Sequence, residues 1–87
     1  MKAVLESATT KVLLYLYETN DARYSKLYEA IPSRSTLALA LRDLQDDRLI
    51  ERRVIATRPV QTWYTLTDEG NKVAEHLSAL KGLSKKS

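Results

Sequence analysis

A mainly α-helical domain with one small β-hairpin, in the order α-β-α-α-β-β-α, is the fold class that three features of this sequence predict. Pro32-Ser33 separates two helical stretches, and the second repeats leucine at Leu37, Leu41 and Leu44. Two alternating stretches rich in β-branched and aromatic residues, 49–56 and 60–66, follow with Thr57-Arg58-Pro59 between them. Thr67-Asp68-Glu69 then opens another helix, its acids placed at the positive end of the helix dipole.

The elements follow in order. Residues 2–18 read as the first helix, with Val4, Ala8, Val12 and Tyr15 on one face and Leu5 and Leu16 flanking it. Val12 to Tyr17 is an unbroken apolar run, and a helix apolar all round is buried on more than one side, here by its own core and by a second subunit. Asn20-Asp21 is a turn, and Arg23-Tyr24 a minimal strand. Ser25 is placed to cap a short second helix that turns Tyr24, Leu27, Tyr28 and Ile31 inward. Pro32 stops that helix and Ser33 caps the next.

With Leu37, Leu41 and Leu44 facing the core, a turn of about 100° per residue puts Ser35, Ala38, Leu39 and Arg42 on the opposite side. In the hairpin, Ile50, Val54, Tyr64 and Leu66 are the inward positions, Trp63 points outward, and Arg52 and Arg53 alternate so that only one faces a given side. Val73, Leu77 and Leu80 form the stripe of the last helix, and residues 84–87 are a frayed basic tail, so one domain covers residues 1–83.

Composition bounds the function. Eighty-seven residues with 44% hydrophobic content make one domain, small enough to gain from burying surface against a second copy. The chain has no cysteine, which excludes disulfides, thiolate metal sites and thiol switching. A single histidine, His76, and two glycines leave no metal cluster, phosphate loop or nucleophile–base pair, so no cofactor and no catalysis are expected. His76 reads as a helix-surface residue. The apolar run at 12–17 is too short to cross a bilayer, and a cytoplasmic, nucleoid-associated protein without membrane contact is expected.

The net charge is +3, and its distribution says more than the sum. All the arginines (23, 34, 42, 48, 52, 53 and 58) lie in the central segment. Arginine donates two parallel hydrogen bonds from a planar fork, which suits phosphate and guanine.

The order of helix, capped helix and hairpin is that of a winged helix-turn-helix. Arg23-Tyr24-Ser25 with Leu27, then Ile31, Ser33, Leu37, Leu41 and Leu44, then Leu49-Ile50 with Arg52-Arg53-Val54, and Tyr64 with Leu66-Thr67 and Gly70, resemble transcription regulators of the HxlR type, with the MarR and PadR types as near relatives. That resemblance implies a homodimer held by terminal helices, each recognition helix in a major groove of double-stranded DNA and each wing on flanking backbone or minor groove. Two-fold symmetry would set the two helices about 34–36 Å apart on a palindromic site.

Carried onto this chain, the recognition helix is 33–46 and the wing 56–61. The DNA-contact candidates are then Ser33, Arg34, Ser35, Ala38, Leu39 and Arg42, with Arg58 on the wing and Lys26 on the preceding helix. The dimer candidates are Val4, Leu5, Leu13 and Tyr17 of the first helix and Val73, Leu77 and Leu80 of the last. No insertion points to a small-molecule effector. The HxlR type carries polar or basic residues where this chain has Ala38 and Leu39. An outward Leu39 can touch a thymine methyl but cannot hydrogen-bond a base edge. A protein-interaction module and a non-specific architectural DNA binder therefore stand as alternatives.

Overall fold

A computed structural model describes residues 7–86. The elements are α1 (Ala8–Thr19), β1 (Asp21–Arg23), α2 (Tyr24–Ala30), α3 (Arg34–Asp46), β2 (Ile50–Ile55), β3 (Gln61–Leu66) and α4 (Asp68–Lys86), in the order the sequence predicts. Helix α1 starts from Ser7, whose Oγ accepts from the Thr10 amide at 3.2 Å and donates to the Thr10 hydroxyl at 2.7 Å. The expected start at residue 2, with Val4 and Leu5, lies outside the described residues. The helix ends at Asn20, which adopts φ 70°, a left-handed value that asparagine tolerates better than most residues. Helical backbone in α4 continues through Lys86, across Ser84, where the sequence reading ends the domain.

The three strands form one antiparallel sheet in the order β1-β3-β2. Tyr64 pairs with Ala22 on one side and Arg52 on the other, and Trp63 pairs with Arg23 and Arg53. Directly opposed residues share a face. One face therefore carries Ala22, Tyr64, Ile50 and Arg52 and turns toward the helices. The other carries Asp21, Arg23, Glu51, Arg53, Trp63 and Thr65.

The core gathers Val12, Leu13 and Leu16 of α1, Leu27 and Ile31, Leu37, Ala40, Leu41 and Leu44 of α3, Ala22, Ile50 and Tyr64 of the sheet, and Ala74 of α4. Leu16, Leu27 and Leu37 are fully enclosed. Each contributes about 1.5–3 kcal/mol through removal of apolar surface from water. The leucine ridge of α3 therefore faces inward as its spacing dictates.

Three expectations change, one of a helix cap and two of inward side chains. Ser25 does not cap α2: the chain passes from extended Arg23 directly into helix at Tyr24, leaving Ser25 inside the first turn. Tyr28 is exposed, because its ring stacks on Tyr24 at the surface, with centroids 6.5 Å apart, instead of entering the core. Val54 is half exposed, because only the base of the hairpin lies over the helices; Ile50 alone is buried on β2. Leu66 packs partly against the core, as expected.

Two local arrangements hold α3, the sheet and α4 in register. At the end of α3 the Arg48 amide donates to the Gln45 carbonyl at 3.0 Å and the Leu49 amide to the Leu44 carbonyl at 2.9 Å. This is the paired closure that normally uses glycine, here with Arg48 at φ 59°. Then Thr67 ties the start of α4 to the same corner. Its amide donates to the Leu49 carbonyl at 3.0 Å, its hydroxyl donates to the Arg48 carbonyl at 2.7 Å, and that hydroxyl accepts from the Gly70 amide at 3.0 Å. Gly70 sits so close that a Cβ there would run into the Leu49 carbonyl.

Candidate nucleic-acid interface

Helix α3 is positioned by its buried ridge and started by Ser33, whose Oγ accepts from the Thr36 amide at 3.4 Å and donates to the Thr36 hydroxyl at 3.0 Å. With Leu37, Ala40, Leu41 and Leu44 inside, the residues left outside include Arg34, Ser35, Ala38, Leu39 and Arg42. All of these are exposed, Leu39 to 59%. No acid lies in the first turn, and Asp43, Asp46 and Asp47 crowd the far end. The first turn of the helix thus combines a positive dipole end with Arg34, a combination that favours anions, and Arg42 follows about two turns later.

Two of the candidate cations have acidic neighbours. Arg42 approaches Asp46 at 4.0 Å and Lys26 approaches Glu29 at 3.4 Å, every side chain in these pairs being well over half exposed. Such pairs are worth about 0–1 kcal/mol and yield to a stronger anion. Arg58 is exposed in the turn between β2 and β3. There the Thr57 hydroxyl donates to the Pro59 carbonyl at 2.8 Å, and the Arg58–Pro59 peptide is cis.

The structure brings Arg34 together with Tyr24, Ser25 and Tyr28 around one shallow cleft. The same Tyr24 and Ser25 form a wall of a second cleft, of about 390 Å³, whose other side is the hairpin, with Arg23, Arg52, Gln61 and Thr62. Arg58 lines neither cleft. Arg52 is on the Tyr64 side of the sheet, and Arg53 is on the Trp63 side. Burial pushes the Tyr64 phenol above the ordinary tyrosine value, and the Arg52 guanidinium beside its hydroxyl opposes that shift.

Trp63 is half-buried on the outer face, as its outward orientation predicts, and its Nε1 donates to Gln61 Oε1 at 3.1 Å. Stacking of Trp63 on Arg53 does not occur. His76 is an exposed helix residue whose Nδ1 lies 2.8 Å from the Lys72 carbonyl.

Among the dimer candidates, Leu13 is taken up by the protomer's own core and is not available to a partner. Tyr17, Leu77 and Leu80 are half-buried and Val73 is 37% exposed, so these retain free apolar surface. Sequence reasoning missed Arg23 and Arg52 as neighbours across a cleft. The signal was present for Arg52, which has the same parity along its strand as buried Ile50. For Arg23 it was absent, since only the sheet order brings β1 beside β3. Among the described residues no helix is long and apolar enough to cross a membrane, and no cluster of His, Asp and Glu could hold a metal ion.

A capped, outward-facing helix followed by a three-stranded sheet with a projecting hairpin defines a winged helix-turn-helix protein. The chain belongs to the HxlR-like helix-turn-helix family, whose model matches residues 4–87. It is 31% identical over 61 residues to the HTH-type transcriptional regulator YodB of Bacillus subtilis (strain 168), a match taking in 68% of this chain and 54% of YodB. The chain thus spans about half the length of that curated relative. Solved structures are similar too, two of them over nearly the whole chain. The Salmonella typhimurium protein ytfH has a TM-score of 0.79 at 26% identity, over 97% of this chain and 80% of that one. A transcriptional regulator homologue protein from Pyrococcus horikoshii OT3 shares the fold, with a TM-score of 0.78 at 18% identity over 97% of this chain and 87% of the other.

Proposed function

We propose that this chain is a homodimeric, non-enzymatic transcription regulator that binds double-stranded DNA, with residues 33–46 entering the major groove and the wing at 56–61 lying on the flanking backbone or minor groove. One observation carries the reading: the face of α3 opposite its leucine ridge, with Arg34, Ser35, Ala38, Leu39 and Arg42, is exposed, and among the described residues no other element covers it. Backbone neutralisation by Arg34, Arg42, Arg58 and Lys26 supplies the affinity, and a small set of base contacts near Ser35, Leu39 and Arg42 supplies the preference for sequence. Membership in the family and the YodB match support the regulatory role.

Selection of bound duplexes from a random pool at near-physiological salt tests this reading. A palindromic consensus with half-sites about one helical turn apart is the expected result. Recovery of duplexes with no common sequence would favour an architectural binder that coats DNA.

A second reading has its own observation. Leu39, 59% exposed at the centre of the outward face, is an apolar contact in search of a partner. It also suits a protein-interaction module. Salt separates the two: binding through phosphates collapses as salt rises, and an apolar protein interface barely responds.

A further inference from the structure

We infer that the cleft between the start of α2 and the inner side of the hairpin receives a backbone phosphate of the bound duplex, and that Arg52, not Arg53, is the hairpin arginine that meets it. This rests on the DNA-binding reading above and adds a contact that neither the sequence nor the family match assigns. Among the described residues this cleft is lined by Arg52, Ser25 and Thr62, with Arg23 and Gln61, whose register is that of the Trp63 face, at its edge, and by no carboxylate. The opposite face of the same sheet differs. Its concavity, which Arg52 and Tyr64 also border, holds Arg53 and Trp63 together with the acids Asp21 and Glu51. Those two acids pair across β3 with Thr65, one on each side, and would repel a phosphate.

Position reinforces charge. The Arg52 cleft shares Tyr24 and Ser25 with the cleft of Arg34, so one concave path leads from the first residue of the recognition helix to the base of the wing. A single DNA strand leaving the major groove beside α3 would follow that path and meet Arg34 and then Arg52. Tyr64, directly opposite Arg52 on β3 and 6% exposed, is the positioning residue: its hydroxyl lies beside the Arg52 guanidinium. Neither Arg52 nor Arg53 has a carboxylate partner within ion-pair distance among the described residues, so replacing either removes one charge without orphaning an acid.

The adjacency of the two arginines provides the control. Arg52→Gln and Arg53→Gln change net charge equally and differ only in the face of the sheet. The wild-type chain and both variants would be titrated with one mixed-sequence duplex long enough for two half-sites, over a range of salt. Arg52→Gln should weaken binding about five- to tenfold at low salt and reduce the salt slope by about 0.9 for each protomer bound. Arg53→Gln should stay within about twofold of wild type, a loss of long-range charge alone being largely screened. Tyr64→Phe should show a smaller loss with Arg52 unchanged, and no further loss when combined with Arg52→Gln. Equal effects of the two arginine variants, or a larger effect of Arg53→Gln, would overturn the assignment while leaving DNA binding intact. Salt-independent wild-type binding, or none, would instead remove the DNA-binding reading itself.

Discussion

At Gly70 the missing side chain is a contact requirement and not a matter of backbone freedom. The residue is in the first turn of α4, and its Cα lies against the Leu49 carbonyl, the same carbonyl that accepts from the Thr67 amide. Gly70→Ala must push α4 away from the corner that orients both α3 and the hairpin. A loss of about 1–3 kcal/mol, read from urea unfolding, is expected; an unchanged midpoint would mean that this corner yields freely. Tyr64 gives a second prediction at this scale. Burial raises its phenol above 10.0, with Arg52 opposing. Above that pH the folded chain therefore holds more proton than the unfolded one. The contribution of Tyr64 is complete below about pH 10 and is lost as pH rises through the raised folded value. The fall in stability as pH rises above about 10 should be shallower in Tyr64→Phe than in wild type. Parallel curves would contradict the burial account.

Helices and strands were legible in the sequence to the extent that periodicity determines them. The leucine ridge of α3 needed only its spacing, and the exposure of Ser35, Leu39 and Arg42 followed as the complement of that ridge. Ser33 was equally legible, a serine directly after a helix-stopping proline. Its cap hydrogen bond is long at 3.4 Å, so Ser33→Ala should cost about 0.5–1 kcal/mol in thermal or urea unfolding, the lower part of the range for capping residues. What the sequence left unread depends on how far one element reaches over another. Val54 alternates correctly but lies beyond the helices that cover Ile50. Tyr28 has inward spacing yet stacks on Tyr24 at the surface. Leu13 looked available to a partner because the helix is apolar all round, and only the packing of α1 showed that Val12, Leu13 and Leu16 form the core side while Leu14, Tyr15 and Tyr17 are half-buried. The basic clefts could not be foreseen, because they join residues of β1, α2, α3 and the hairpin that no short motif links.

For the whole molecule, two surfaces act together: terminal-helix residues left partly uncovered within the protomer, and an outward helix that needs a two-fold mate to span successive grooves. If the first surface forms the dimer, Val73→Lys should shift sedimentation from the dimer mass toward that of the 9.9 kDa protomer while far-ultraviolet circular dichroism stays unchanged. A protomer mass for wild type at micromolar concentration would remove the symmetric arrangement. The central claim is that the uncovered side of α3 meets DNA, and its most direct test is amide chemical-shift mapping of the labelled protein against a duplex recovered from the random pool. The largest shifts are predicted at Arg34, Ser35, Ala38, Leu39 and Arg42, with a second group at Arg58. Shifts confined to other surfaces, with residues 34–42 unmoved at saturation, would contradict it.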